Sequence, residues 1–477
     1  MRSSVIFLLD SALQTLNVTS GLIPTTTVLT YLRSLPGRKG TKEGCAEGDC
    51  GACTVALGEL AADGRLRYTA IDSCLVFLPM LHGKQLITVE SLSPVEGPLH
   101  PVQQAMVETD GSQCGYCTPG FIMSMFALYK KNTGQPSRAE IDDALTGNLC
   151  RCTGYRPIVE AAAKACVHAG RDQFTGGEEE VVRVLRTIPS ESIELVTDVQ
   201  RYRRPASLSE AVSLKHQFPG LLVISGATDV ALRVTKNHEV LSDLLDLSGV
   251  EELKEIERSP DEVRLGAGAP LTLVLEAVRE EFPALYDMLA VFGSRQIRNL
   301  ATLGGNLGTA SPIGDTLPVL IAYGARVVLE SINGRREVPV DEFVIGYRKT
   351  LRRPDELITS VIIPKPAGSE SAVVKSYKIS KRKDLDISTV SAGFRLARNG
   401  QTVAGIVLAY GGMAERVKRA SAAEEFLTGK RWDRATVEQA MDVLEREFTP
   451  ISDARAGAEF RTVAARNLLL KFWTETV

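Results

Sequence analysis

The chain has 477 residues, 44% hydrophobic and 24% charged, with a formal net charge of −3. That length suggests about three or four domains with ample apolar material for cores, and the near-neutral balance offers no basic face to nucleic acid or a membrane surface, leaving small molecules and proteins as partners. No stretch approaches the roughly 18 uncharged apolar residues of a membrane helix, and the N-terminal VIFLLD, interrupted by Asp10, is followed by no signal-peptide cleavage site, so a cytoplasmic protein is expected.

VIFLLD reads instead as a first β-strand. After it, nine cysteines, Cys45, Cys50, Cys53, Cys74, Cys114, Cys117, Cys150, Cys152 and Cys166, crowd the first third of the chain, and none follows. In a reducing compartment that clustering and the odd count favour metal or redox chemistry over disulfides. The stretch GTKEGCAEGDCGACTV, residues 40–55, fits neither helical nor strand spacing. Its C-x4-C-x2-C pattern with the distant Cys74 is the spacing of plant-type 2Fe–2S ferredoxins. An anionic cluster wants backbone N–H groups aimed at its sulfurs, and Gly44, Gly48 and Gly51 let a loop wrap that closely. A zinc site is the alternative, less suited to a four-residue spacing.

The second set is Cys114 and Cys117 in GSQCGYCTPGF, then Cys150 and Cys152 in GNLCRCTGYRP. Pro119 opens a helix predicted to reach Lys131 with Thr118 as its cap, and Pro157 opens one predicted to reach Gly170. Each cysteine pair therefore ends just before a helix N-terminus, whose positive end of the dipole favours thiolates and an anionic cluster. Between them SRAEIDDALTGN shows a capping box, Ser137 with Glu140, and a stop at Gly147. C-x-C is tight for zinc, so a second 2Fe–2S cluster on a small helical bundle is the better reading. Cys166, at helical spacing with Ile158 and Ala162, reads as a buried structural thiol.

From about His168 to Val199 glycine and charge mix without sustained periodicity, which predicts a linker with one short helix. YRRPASLSEAVSLKH then suggests a capped helix, and GLLVISGATDVALRVTK a strand, a small-residue turn and a helix. The turn Ser225–Gly226–Ala227–Thr228 can bind phosphate through bare N–H groups. Residues 292–315, FGSRQIRNLATLGGNLGTASPIGD, read as a long loop of the kind that is usually functional. From Val373 the pattern alternates as strands do, interrupted by the charged SKRKDLD, with helices later.

The two cysteine motifs resemble the iron–sulfur modules of the molybdenum hydroxylases, the xanthine dehydrogenase and aldehyde oxidase family. The chain as a whole resembles their iron–sulfur/flavin subunit. The resemblance implies a multidomain α+β fold: a plant-type ferredoxin β-grasp domain over 1–88, a helical-bundle 2Fe–2S domain over 89–170, a linker over 171–197, a two-part α+β FAD domain of the vanillyl-alcohol-oxidase type over 198–366 and an α+β C-terminal flavoprotein domain over 367–477. It implies that Cys45, Cys50, Cys53 and Cys74 hold one cluster, and Cys114, Cys117, Cys150 and Cys152 the other. Val223, Ile224, Ser225, Gly226, Ala227, Thr228 and Asp229, with Thr302, Gly304, Gly305 and Asn306, would hold the pyrophosphate and ribityl chain of FAD. Asp315 would meet a hydroxyl, unless it is only a helix cap, and Phe292 and Lys378 would line the site. SKRKDLD, with Asp384 and Asp386, would stand where the family has its NAD-facing loop, unless it is only a solvated charged turn.

The implied activity is electron transfer within an NAD-dependent oxidoreductase. Xanthine or hypoxanthine would be hydroxylated at a molybdopterin in a separate large subunit, and electrons would pass through two 2Fe–2S clusters and FAD to NAD. A heterotetramer of two small and two large subunits is implied, with no catalytic residue for substrate in this chain. The rival within the class oxidises aldehydes or N-heterocycles; the rival outside it is a zinc-stabilised binding or assembly protein.

Overall fold

The computed structural model describes residues 2–18, 22–61, 63–94, 96–131, 134–168, 172–365 and 372–477. The expected boundaries at 170/171 and 366/367, and the predicted helix end at Gly170, fall outside them. The chain divides into two compact units, Met1–Ser207 with Leu221–Gly249 and Ser294–Ala301, and Leu208–Gly220 with Val250–Gly293 and Thr302–Val477.

In the first unit, VIFLLD forms the strand Ser4–Leu9, in a five-stranded sheet ordered Ala12–Asn17, Ser4–Leu9, Gln85–Ile87, Thr54–Leu60, Leu66–Asp72. Ser4–Leu9 runs parallel to Gln85–Ile87 and antiparallel to Ala12–Asn17. The helix Val28–Ser34, capped by the Thr27 hydroxyl, buries Val28, Leu29 and Leu32 against Phe7 and Phe77, which completes a β-grasp. That core continues without a break into a second sheet through Ile193, Leu195 and Tyr202. The second sheet is ordered Ile193–Val196, Arg201–Arg204, Asp243–Asp246, Leu222–Ile224.

The helices Pro101–Glu108, Thr118–Lys131, Arg138–Leu145 and Arg156–Ala165 form the helical bundle. Ser137 and Glu140 make the expected capping box, and Cys166 is buried with its thiol pushed up to about 11 by that burial. Thr118 lies inside its helix rather than capping it, and the last of these helices ends at Ala165, followed by a single 3-10 turn over Cys166–His168.

The expected linker is more ordered than its glycines suggested. It holds two helices, Gln173–Gly176 and Glu178–Thr187, and the strand Ile193–Val196. The reason is an apolar stripe: Phe174, Val181, Val182 and Leu185 pack on the bundle core while Glu179 and Glu180 are exposed and Glu178 accepts from the Leu66 amide at 3.0 Å. Asp172 bolts this segment down. Its side chain, 1% exposed, meets His100 Nε2 at 3.1 Å and Lys130 Nζ at 3.0 Å and accepts from the Thr175 amide at 2.7 Å. Burial pushes the carboxyl up, but the His100 and Thr175 hydrogen bonds and the Lys130 charge outweigh it and hold the pKa well below the usual range. Such a group adds stability that is present above the unfolded carboxyl value of about 3.9 and is lost as pH falls through the folded one. Asp172→Ala should therefore destabilise this unit by about 3–5 kcal/mol, the scale for removing one partner of a buried charged network. The gap in denaturant midpoint between variant and wild type should begin to narrow below about pH 4 and shrink further as pH falls toward the folded value.

In the second unit an antiparallel sheet runs Ile256–Arg258, Glu262–Gly266, Leu357–Pro364, Arg326–Ser331, Gly334–Pro339. A four-stranded sheet follows, Val373–Ile379, Val390–Asn399, Thr402–Gly411 and Lys418–Arg419, backed by the helices Arg434–Glu447 and Ala458–Thr476 around Phe394, Tyr410 and Phe472. The helix Thr316–Ala322 lies so close to this sheet that a Cβ on Gly393 would sit 2.2 Å from the Pro318 carbonyl oxygen.

Candidate functional site

The loop after the β-grasp helix brings Cys45, Cys50, Cys53 and Cys74 together as two pairs. Cys53 and Cys74 lie with sulfurs 3.3 Å apart, both buried, and Cys50 bonds to Cys45. The amides of Glu47, Asp49 and Cys50 point at Cys45 Sγ from 3.5, 3.3 and 3.3 Å. Gly51 turns the chain at φ 65°, and Gly44 packs against Cys50 with no room for a side chain. The Cys45 thiol falls to about 5, first because Cys50 donates to it and then through those three amides, whereas its partner Cys50 is raised.

The second set pairs likewise, Cys114 with Cys152 and Cys117 with Cys150. The helix Thr118–Lys131 starts directly after Cys117, and Arg156–Ala165 starts four residues after Cys152. Tyr155, at φ 69°, turns the chain into the latter helix and accepts the Cys150 amide on its hydroxyl at 3.0 Å. Cys114 is lowered by the Tyr116 amide and by Cys152; Cys117 is pushed up to about 12 by burial and by Cys150. Burial raises Cys150, but hydrogen bonds from Thr153, Cys152 and Cys117 bring it below its ordinary value. Two thiols per position, twice over, is the donor set of a dinuclear cluster, in which each iron takes two cysteines.

The turn Ser225–Thr228 lies in the first unit, after the strand Leu222–Ile224 and before the helix Ala231–Thr235. Ala227 takes φ 59°, and a Cβ on Gly226 would lie 1.7 Å from the Leu300 carbonyl oxygen. Gly226 is thus packed backbone to backbone on Leu300, and Val223 and Ile224 before it belong to the strand, paired with Leu245 and Asp246. Phe292, Thr302, Gly304, Gly305, Asn306, Asp315 and Lys378 belong to the second unit. There Thr302 caps the helix Leu303–Thr309 by accepting from Gly305 N at 3.0 Å, and Asn306 Oδ1 accepts from Thr316 at 2.6 Å. Residues 292–315 are therefore not one bare loop, since the short helices Arg295–Arg298 and Leu303–Thr309 interrupt it, each capped by a hydroxyl. Asp315 makes no side-chain cap. Its buried carboxylate accepts from Lys378 Nζ at 2.7 Å and Ser388 Oγ at 2.6 Å, so helix, strand and the following loop meet on one ion pair. SKRKDLD is closed by Arg382, which donates to Asp386 through N at 2.8 Å and Nε at 2.7 Å, with Leu385 at φ 74° and the Asp384 carbonyl accepting from Asp386 N.

Sequence reasoning passed over three residues at these sites. Asp72, fully buried, approaches Cys53 Sγ to 3.7 Å, and burial pushes its carboxyl well above the ordinary range, reinforced by Cys45. Its only signal was its place two residues before Cys74. Asn148 and Gln296 join the two cysteine loops to the segment Ser294–Ala301; in sequence Asn148 stands unremarked between the Gly147 helix stop and Cys150.

These features define an iron–sulfur flavoprotein built to carry electrons. Residues 88–163 match the family described as [2Fe-2S] binding domain, 197–366 the FAD binding domain in molybdopterin dehydrogenase, and 375–476 the CO dehydrogenase flavoprotein C-terminal domain. The chain belongs to the molybdenum hydroxylases and carries their iron–sulfur and flavin modules. It is 33% identical to a xanthine dehydrogenase of Emericella nidulans over 95% of this chain and 37% of that protein. It is also 33% identical to a xanthine dehydrogenase/oxidase of Gallus gallus over 94% of this chain and 38% of that protein, so it spans under two fifths of each. Among solved structures, a carbon monoxide dehydrogenase of Hydrogenophaga pseudoflava superposes with TM-score 0.54 at 26% identity, over 58% of this chain and 96% of that one. A quinoline 2-oxidoreductase of Pseudomonas putida 86 superposes with TM-score 0.53 at 28% identity, over 57% of this chain and 95% of that one. Among the described residues no helix is long and apolar enough to cross a membrane.

Proposed function

We propose that the chain is the electron-transfer part of a xanthine dehydrogenase, working with a molybdopterin-bearing polypeptide in a heterotetramer and delivering electrons to NAD. The carrying observation is the continuous match of 94–95% of the chain to xanthine dehydrogenases, with iron–sulfur and flavin modules joined in one order. The division 1–88, 89–170, 171–197, 198–366 and 367–477 and the ligand sets given above belong to this reading. When bound, the clusters carry single electrons and the flavin collects two and releases them as a hydride. The chain's own residues do the holding. Two thiol pairs receive each cluster, backbone amides stabilise the sulfurs, the Gly226 turn presents N–H groups to pyrophosphate, and Lys378 sits locked on Asp315.

Delivery to an anionic acceptor such as NAD is supported by one feature of the second unit. A cavity of about 320 Å³ in the second unit is lined by Ile379, Ser380, Lys381, Thr389, Arg455 and Phe460. It starts one residue beyond Lys378 and carries two cations and an aromatic face.

Likeness to the quinoline 2-oxidoreductase supports a second reading, an N-heterocycle oxidiser. Copurification from the native host separates them. The expected result is a molybdenum-containing partner and xanthine-dependent NAD reduction; an intact, metal-replete complex inactive on purines but active on an N-heterocycle would overturn the first reading.

A further inference from the structure

In the first unit three backbone segments meet with only the Asn148 carboxamide among them. A Cβ on Gly51 would lie 2.2 Å from the Gly147 carbonyl oxygen, and one on Gly120 would lie 2.2 Å from that of Gly51. Across this contact the Leu149 amide donates to the Cys50 carbonyl at 3.0 Å. A residue adjoining Cys150 is thus hydrogen-bonded to Cys50, and these two cysteines belong to different thiol sets. Asn148, 2% exposed, sets the register. Its Nδ2 donates to Gly51 O at 3.0 Å and Thr54 Oγ1 at 3.1 Å, while Oδ1 accepts from Ser124 Oγ at 2.6 Å and Gln296 Nε2 at 3.0 Å. Both donors and both acceptor positions of the amide are used.

Gln296, fully buried, also donates to Ser124 Oγ at 3.1 Å. It lies on the segment Ser294–Ala301, whose Ile297 reaches within 2.8 Å of a Cβ placed on Gly48 and whose Leu300 carbonyl faces Gly226. One short stretch of chain therefore touches both cysteine loops and the flavin-side turn.

We propose that Asn148, held by Gln296, is a positioning residue for electron transfer between the two clusters. The proposal rests on the electron-carrying reading above. Well-packed apolar groups in place of a buried, fully hydrogen-bonded amide and its partners can be nearly neutral for stability, so what the amide adds is a fixed geometry. The step it serves moves one electron from the cluster of Cys114, Cys117, Cys150 and Cys152, which is oxidised, to that of Cys45, Cys50, Cys53 and Cys74, which is reduced. No bond forms or breaks and no proton moves. Because transfer falls steeply with separation, the closeness of the glycine contact decides the rate.

The test uses the full chain, with its partner where one copurifies, carrying Asn148→Ala or Gln296→Leu. Iron is counted, and the two reduced clusters are examined by paramagnetic resonance for their mutual spin broadening. Equilibration between the clusters is timed after photochemical one-electron reduction. The expected result is full iron and both signals, with weakened broadening and equilibration slowed about tenfold, the scale for removing an outer-shell partner. Should Asn148→Ala fail to assemble clusters, Gln296→Leu decides. Wild-type broadening and rate in an iron-replete variant overturn the positioning role and leave the relay standing; a wild-type chain with no iron–sulfur signal overturns both.

Discussion

Replacing Cys50 by serine should remove one of two 2Fe–2S signals and halve the iron from about four to about two per chain. A serine hydroxyl stays protonated at neutral pH, so Cys45 loses the sulfur that pairs with it and one iron position loses half of its thiolates. The other cluster should survive, because its four thiols come from two separate segments, each seated on its own helix start. The Leu149 bond is made to the Cys50 carbonyl, not to its side chain, and so it persists in the variant. Iron content, visible absorption and low-temperature paramagnetic resonance check this outcome together. Retention of both signals would remove Cys50 from the ligand set.

The cysteine sites were legible because their chemistry demands fixed spacing. C-x4-C-x2-C, C-x2-C and C-x-C each announce a turn that aims thiols inward, and the pairing across turns then follows from packing. The capping box at Ser137 and the helix after Cys117 were legible for the same local reason. What was not legible depends on residues distant in sequence. The apolar stripe Phe174, Val181, Val182 and Leu185 is diluted by glutamates, and only the bundle core it meets makes it a docking face. Gln296 reads as an ordinary polar residue until the fold carries it 148 positions back to Asn148. Asp315 likewise pairs with Lys378 across 63 positions, and no local pattern announces such an ion pair.

Gly226→Ala should strip the flavin while leaving both iron–sulfur signals. The new Cβ would lie 1.7 Å from the Leu300 carbonyl oxygen and 2.5 Å from its carbon, so one backbone must yield. The Leu300 side cannot yield easily. Its segment is tied by Asn299 to the Ala70 carbonyl at 2.8 Å, by Gln296 to Asn148 and by Arg295 and Arg298 to Asp143. The turn on the other side ends a three-residue strand at the sheet edge, leads into a five-residue helix and already holds Ala227 at positive φ, so it is the part that moves. Overpacking of this kind costs about 1–3 kcal/mol, which corresponds to roughly a 5-fold to 150-fold loss of FAD affinity when the displaced amides are the ones that face pyrophosphate. Flavin released on desalting, set against unchanged iron content, measures it. A variant that holds FAD as tightly as the wild type would place the dinucleotide away from this turn, because no cradle built on bare backbone can shift by an ångström and bind equally well.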